Sequence, residues 1–353
     1  LTQLKTESPL VFGFAESRIG GRAENQDSFA WADTPIGFLI TVCDGMGGGP
    51  GGKTASFIAV NEIIAGVMEA DQQEETANIL IKAIRRANMA IITRGNEQPE
   101  LKGMGSTCTV VLINSKFATI AHVGDSRVYQ FRGRTKIFRT FDHSMVFDLV
   151  KQKVITEEQA RLSAQSNVIT RALGIKPDLE VEILERPFEA GDRFLLCTDG
   201  IHGSIEEKRL IKQVTNRKIA LGPVVDGIAT EIDNIGRISG GGHDNLTLAI
   251  IETKLNSIKK DSMSKKIKQI LLAIGAVCII SIAVKIFLTI TTIGQSNTLK
   301  DLGDQEILMH TNDSLIGEIK KTELKRTEDS AKIEAIIQEL EKDPKFKDSM
   351  NTL

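Results

Sequence analysis

Asp44 and Gly45 stand where an apolar run, Ile36 to Val42, meets a string of glycines in IGFLITVCDGMGGGPGGKT. The run is continuous, in the manner of a strand buried on both faces, so Asp44 sits at a strand end on the rim of a core. A carboxylate there must be paired, hydrogen-bonded or bound to a cation, because desolvating it alone costs too much. Two chemistries fit. Gly47, Gly52, Lys53 and Thr54 satisfy the phosphate-cradling pattern GxxxxGK[ST] between a strand and a helix, with Phe194 to Asp199 as a candidate magnesium-binding strand. Alternatively, Asp44 and Gly45 are ligands of a metal centre.

Asp125, Asp199 and Asp244 repeat the setting of Asp44, each at the edge of an apolar strand-like run beside a glycine or asparagine. With Asp27 added, they read as carboxylates gathered on one rim. Such groups repel one another unless cations compensate them. An oxygen-rich site with no cysteine or paired histidine suits Mg²⁺ or Mn²⁺. Two hard cations bridged by a carboxylate, ~3.5–4 Å apart, make a hydrolytic centre for phosphate esters.

The elements that must position these residues follow from periodicity. Apolar spacing predicts helices over Lys53 to Ala70 and Ala77 to Arg94. Strands are expected over Ser106 to Ile113 and Phe117 to His122, joined by Asn114-Ser115-Lys116, and over Arg127 to Phe131 and Arg134 to Phe138, joined by Arg132-Gly133. Links this short join antiparallel strands. An antiparallel meander weighs against the phosphate loop, which belongs to parallel sheets. Residues 141–174 turn helical and interrupt the strands, as a flap over a site would. A buried strand resumes at Arg193 to Thr198, helices follow around Glu206 and Asp226, and Leu246 to Glu252 is the last strand. Arg22 to Asp27 lie in a polar stretch that, taken alone, is a surface loop.

At 353 residues, 41% hydrophobic and 25% charged, the chain is ordinary globular protein with room for one large domain or two. A net charge of −2 gives no footprint for nucleic acid. Cys43, Cys108, Cys197 and Cys278 lie in apolar runs without zinc or disulfide spacing, which favours a reducing compartment for the first three. The chain begins at Leu1, as after processing or trimming, with no secretory signal before Pro9. Residues 269–293 are apolar or hydroxylated apart from Gln269 and Lys285, and are expected to form one transmembrane helix. Lys259, Lys260, Lys265, Lys266 and Lys268 crowd its N-terminal flank, which places the preceding domain in the cytoplasm. Ser296 to Leu353 is a polar tail with a short stripe of Ile333, Ile336, Ile337 and Leu340.

The ordered motifs RAENQD, VCDGMGGG, GMGSTCTVV, AHVGDSRVY, NVITRALG, LLCTDGI and GGHDNLT resemble the metal-dependent serine/threonine protein phosphatases (PPM, type 2C) in their bacterial form. The resemblance runs from about Val11 to Glu252. It implies an α+β fold, a four-layer α-β-β-α sandwich of two antiparallel sheets flanked by helices, here followed by one transmembrane helix. The expected organisation is a catalytic domain over 1–255 with a flap at 141–174, a basic linker at 256–268, the span at 269–293 and the tail at 294–353. By position, the resemblance implies that Asp44 bridges two Mn²⁺ or Mg²⁺ ions and Gly45 offers its carbonyl. Asp199 and Asp244 complete one ion's ligands, Asp27 joins the cluster, and Asp125 with Asp199 holds a weaker third ion. Arg22 holds the substrate phosphate in a bidentate contact that lysine would not copy.

The implied activity is hydrolysis of phosphoserine and phosphothreonine in proteins by a metal-bridging hydroxide, opposing a Ser/Thr kinase. A regulatory pseudophosphatase or binding module and a phosphate-loop nucleotide hydrolase are the alternatives. Three departures stand out. Gln26 replaces a frequent Glu, Met46 stands where animal relatives carry a histidine thought to act as general acid, and the flap keeps Asn167 and Arg171 but lacks the basic residue often found before the asparagine. His243 reads as a rim histidine, and His122 as packing or support for the Gly124-Asp125 loop.

Overall fold

The computed structural model describes residues 2–47, 50–163, 165 and 168–257. The expected transmembrane helix, the polar tail, almost all of the basic linker and Asn167 lie outside them. Among the described residues no helix is long and apolar enough to cross a membrane.

The chain opens with β1 (Thr2–Glu7), β2 (Val11–Arg18), β3 (Asp27–Thr34) and β4 (Gly37–Met46), then helices α1 (Gly51–Met68) and α2 (Thr76–Glu97). Four more strands and a two-residue one follow: β5 (Gly105–Ser106), β6 (Cys108–Ile113), β7 (Ala118–Val123), β8 (Arg127–Arg132) and β9 (Thr135–Arg139). Short helices α3 (Met145–Lys151) and α4 (Glu157–Leu162) precede β10 (Glu182–Arg186) and β11 (Arg193–Cys197). The domain closes with α5 (Asp199–His202), α6 (Glu207–Val214), α7 (Leu221–Ile238) and β12 (Leu246–Thr253).

Two sheets result, one ordered β1-β2-β12-β11-β8-β9 and the other β10-β7-β6-β4-β3, with β5 paired to β4. Every strand pairing is antiparallel. This corrects the phosphate-loop reading of Gly47 to Thr54. The strand before that loop is flanked by antiparallel neighbours, and Lys53 pairs with Glu24 at 3.1 Å on the surface.

The continuous apolar run of β4 resolves into two faces, because side chains alternate along a strand. Phe38, Ile40 and Val42 pack between the sheets with Ile120, Phe194 and Ile251. Leu39 and Cys43 face outward onto Ala55, Ile63, Leu80 and Ile84 of α1 and α2. The other sheet presents Tyr129, Leu195 and Leu248 to Val225 and Ile228 of α7. Three apolar slabs thus separate four layers, and each fully buried Leu, Ile or Val in them contributes roughly 1.5–3 kcal/mol. The expected two antiparallel sheets flanked by helices are borne out.

The flap has its own small cluster of Val146, Phe147 and Ala160. Ser144 caps α3, and a reciprocal Thr156–Gln159 capping box starts α4. Its base is clasped to β8, where Arg127 donates two hydrogen bonds of 2.7 Å to the Asp142 carboxylate and stacks over Phe147 at 5.0 Å.

Candidate metal centre

Asp44 lies near the C-terminal end of β4, and the register of β3 sets Asp27 directly opposite it. Directly paired residues project to the same face of a sheet. The chain holds Asp44 by its backbone: its N–H donates to Thr107 Oγ1 at 2.9 Å, and its carbonyl accepts from Thr107 N–H at 2.8 Å and Ser106 Oγ at 3.0 Å. The carboxylate faces the cavity, beside Asp199. Gly45 follows because no other residue fits there: a Cβ would come within 2.0 Å of the Gly52 carbonyl at the start of α1.

The remaining aspartates arrive from strand ends. Asp199 begins α5 after β11, Asp125 lies in the turn between β7 and β8, and Asp244 precedes β12. Together with Arg22, Gln26, Thr107 and Asn245, the aspartates other than Asp27 line an open cavity of about 690 Å³. Asp27 lies just beneath, 9% exposed. A second cleft of about 610 Å³ shares Asp125, Asp199 and Asp244 and runs under the flap past Arg127 and Arg139.

Arg22 beside Asp244 and Arg127 near Asp125 offset only part of the negative charge gathered here. Burial, followed by the charge of Asp199, pushes the Asp27 carboxyl up to about 7 from an ordinary 3.8, although Thr247 and Thr198 hydroxyls oppose the rise. Asp44 is pushed up by burial and then by the charges of Asp27, Asp199, Asp125 and Asp244. Asp125 rises to about 8 through burial and the charges of Asp199 and Asp142, and Asp199 rises through burial and Asp244. Two oxygens, Asp27 Oδ1 and Asp199 Oδ1, are buried with no hydrogen-bond partner. Orphaned oxygens among repelling carboxylates are what a hard divalent cation satisfies, so the donor set fits Mn²⁺ or Mg²⁺.

Arg22 supplies the cation nearest the rim. Its Nη2 donates to Asp244 Oδ2 at 2.9 Å, and its side chain is 54% exposed, so the guanidinium is open to an incoming anion. The loop that carries it is stapled by Asn245, whose Nδ2 donates to the carbonyls of Ile19 and Glu24 and whose Oδ1 accepts from the Gln26 N–H at 2.9 Å. Met46 and Ile169 line the cavity and bring no acid–base group. Arg171 pairs with Glu180 at 2.9 Å. His243 Nε2 donates to the Asp233 carboxylate at 2.9 Å, as befits a rim histidine held in its loop.

A family model described as protein phosphatase 2C matches residues 16–223. The chain belongs to the protein phosphatase 2C family. Among curated members of the family, it is 32% identical over 246 residues to "Serine/threonine phosphatase stp" of Listeria welshimeri, an alignment that covers 69% of this chain and 92% of that one. It is also 32% identical over 235 residues to the "Serine/threonine protein phosphatase PstP" of Mycobacterium tuberculosis, of which 42% is covered. Crystal structures agree. The M. tuberculosis phosphatase PstP/Ppp superposes with a TM-score of 0.58 at 30% identity, covering 69% of this chain and 99% of that one. The catalytic domain of PstP in complex with two manganese ions gives 0.57 at 29% identity over 69% and 99% of the two chains. This membership bears out the resemblance carried by the seven sequence motifs.

The phosphatase 2C motifs also contain residues whose part the sequence reading missed. Thr107 anchors the Asp44 backbone and Thr198 Oγ1 donates to Asp27 Oδ2 at 3.1 Å. Asn245 organises the Arg22 loop. The signal for Thr198 and Asn245 was adjacency to Asp199 and Asp244 within LLCTDGI and GGHDNLT, and for Thr107 only its place inside the motif GMGSTCTVV.

Proposed function

We propose that this chain hydrolyses phosphoserine and phosphothreonine in proteins with two divalent cations, Mn²⁺ or Mg²⁺. The observation that carries this reading is the convergence of Asp44, Asp125, Asp199 and Asp244 on one cavity with Asp27 beneath it, two of their buried carboxylate oxygens being unpartnered. Asp44, the Gly45 carbonyl, Asp199 and Asp244 would hold the cations, Asp27 would complete the acidic cluster, and Asp125 with Asp199 would hold a weaker third. Cations bound there acidify water into a nucleophile at neutral pH and neutralise charge on phosphoryl oxygens. The residues of the chain do the rest. Arg22 binds and orients the phosphate, and Thr107 and Asn245 keep Asp44 and the Arg22 loop in place. Met46 and Ile169 offer no proton, so the alkoxide leaving group takes its proton from water or another group of the cavity.

The full chain should release phosphate from a phosphothreonine peptide with Mn²⁺, and EDTA should stop it. Binding of the phosphopeptide without release, under any divalent cation, would favour a pseudophosphatase. A Ser/Thr kinase is the natural counterpart of such an activity. We further propose that 269–293 anchors the chain in the cell membrane with the catalytic domain in the cytoplasm, on the strength of its apolar composition and lysine-rich flank. Extraction of the full chain from membranes by alkaline carbonate would overturn the anchor.

A further inference from the structure

Away from the acidic rim, His122, His143 and Glu182 bring their ligand-type atoms within 4.8 Å of one another. Their composition is that of a transition-metal site, but the hydrogen bonds assign the protons otherwise. The Gly124 N–H donates to His143 Nδ1 at 3.1 Å. A donor there requires a lone pair on Nδ1, so the neutral ring carries its proton on Nε2. That proton points to Glu182 Oε2, 3.0 Å away. A metal ion on Nε2 would have to displace it while Nδ1 still faced a donor, which leaves a doubly deprotonated ring.

His122 completes the group without sharing a proton. It is fully buried, neither ring nitrogen has a partner, and its ring lies 4.4 Å from that of His143 at 35°. Its Nδ1 is 4.0 Å from Glu182 Oε2, beyond hydrogen-bond reach. Burial lowers its pKa and keeps it neutral, so it serves as a flat surface that fixes the plane of the neighbouring ring. Glu182 sits directly opposite His122 in the β10–β7 register, which ties the group to the sheet.

Two of the bonds that leave this cluster toward the site end on one turn, while a third runs from the Thr170 N–H to the His143 carbonyl at 2.7 Å. The His143 N–H donates to the Gly124 carbonyl at 2.9 Å, so both polar groups of Gly124 are held by one residue. Gly124 has φ +102°, a conformation that side chains rarely adopt, and a Cβ there would meet Thr107 at 2.7 Å. The next residue is Asp125, whose carbonyl accepts from His202 Nε2 at 3.0 Å.

We propose that His143, oriented by Glu182 and His122, is the positioning residue for Asp125: its Nδ1 sets the Gly124 peptide and so the direction of the Asp125 carboxylate. The proposal rests on the reading of Asp125 as a ligand of the weaker third cation. It separates the two ring nitrogens. His143→Asn keeps an acceptor near Nδ1, His143→Gln keeps a donor toward Glu182, and His143→Ala keeps neither.

In the full chain, Mn²⁺ uptake is followed by the EPR signal of the free ion, so that the readout does not depend on turnover, and melting temperature is recorded beside it. The weakest Mn²⁺ site should lose roughly tenfold in affinity in His143→Gln and His143→Ala and stay within about threefold in His143→Asn. In an Asp125→Ala background the same substitutions should change nothing further in Mn²⁺ uptake. Three results would overturn the proposal: His143→Gln matching the wild type, losses that track melting temperature alone, or one bound Zn²⁺ that His122→Ala abolishes. An absence of phosphate release by a wild type showing the predicted Mn²⁺ pattern would sink the phosphatase reading and leave this one standing.

Discussion

Asp27 and Asp44 stand opposite each other in the β3–β4 register, two carboxylates on one face of one sheet, about 5 Å apart at Cα. Without a cation they share the site with protons. Burial first, and then neighbouring carboxylates, raise Asp27 to about 7 and Asp125 to about 8, against 3.8 for an unfolded aspartate. Between these limits the folded metal-free protein holds protons that the unfolded chain has released, so this contribution to stability is present at low pH and lost as pH rises. Melting temperature in EDTA should therefore fall from about pH 5 to about pH 8. Saturating Mn²⁺ should raise it, most at the alkaline end where the cation no longer competes with protons. Asp27→Asn should flatten the slope in EDTA.

Asp44→Asn and Asp199→Asn each remove a charge from the centre while preserving shape. Both should lower Mn²⁺-dependent hydrolysis of p-nitrophenyl phosphate by roughly a thousandfold or more, since cation stabilisation of the transition state is worth several kcal/mol. Circular dichroism should show an intact fold. Activity near wild type in both variants would remove these residues from the centre.

Arg22 should act on binding of the phosphate. A charge-assisted contact is worth about 1.5–3 kcal/mol, so Arg22→Ala should reduce kcat/KM for a phosphopeptide by roughly 10- to 100-fold. Arg22→Lys should recover little, because an ammonium cannot form the paired fork. Full rescue by lysine would reduce Arg22 to a point charge.

Asn245→Ala leaves the carbonyls of Ile19 and Glu24 and the Gln26 N–H without their partner. These bonds are part-buried, so each lost one costs roughly 0.5–1.5 kcal/mol. The variant should lose several degrees in melting temperature and raise KM more than it lowers kcat, since the loop it frees carries Arg22. An unchanged KM would show that the loop holds its place without the staple.

The positions of Asp44, Asp125, Asp199 and Asp244 were legible from the sequence because each marks a break in an apolar run, which is local information. The antiparallel order of the central strands was legible through links such as Asn114-Ser115-Lys116, too short for a crossover. β2 and β3 were harder to see. β3 is only partly buried along most of its length, and β10, an edge strand reading EILER, carries charge on a sheet border.

What the sequence alone determined was therefore the inventory: which carboxylates stand at strand ends, and in what order of motifs. Which groups meet was decided by tertiary structure. Arg22 and Asp244 pair across 222 residues, and Thr198 reaches Asp27 across 171. The proton on His143 is placed by a backbone N–H 19 residues away, at Gly124. Contacts of this range depend on how two sheets stack and which strand ends share a rim, and no local pattern of residue types encodes that packing.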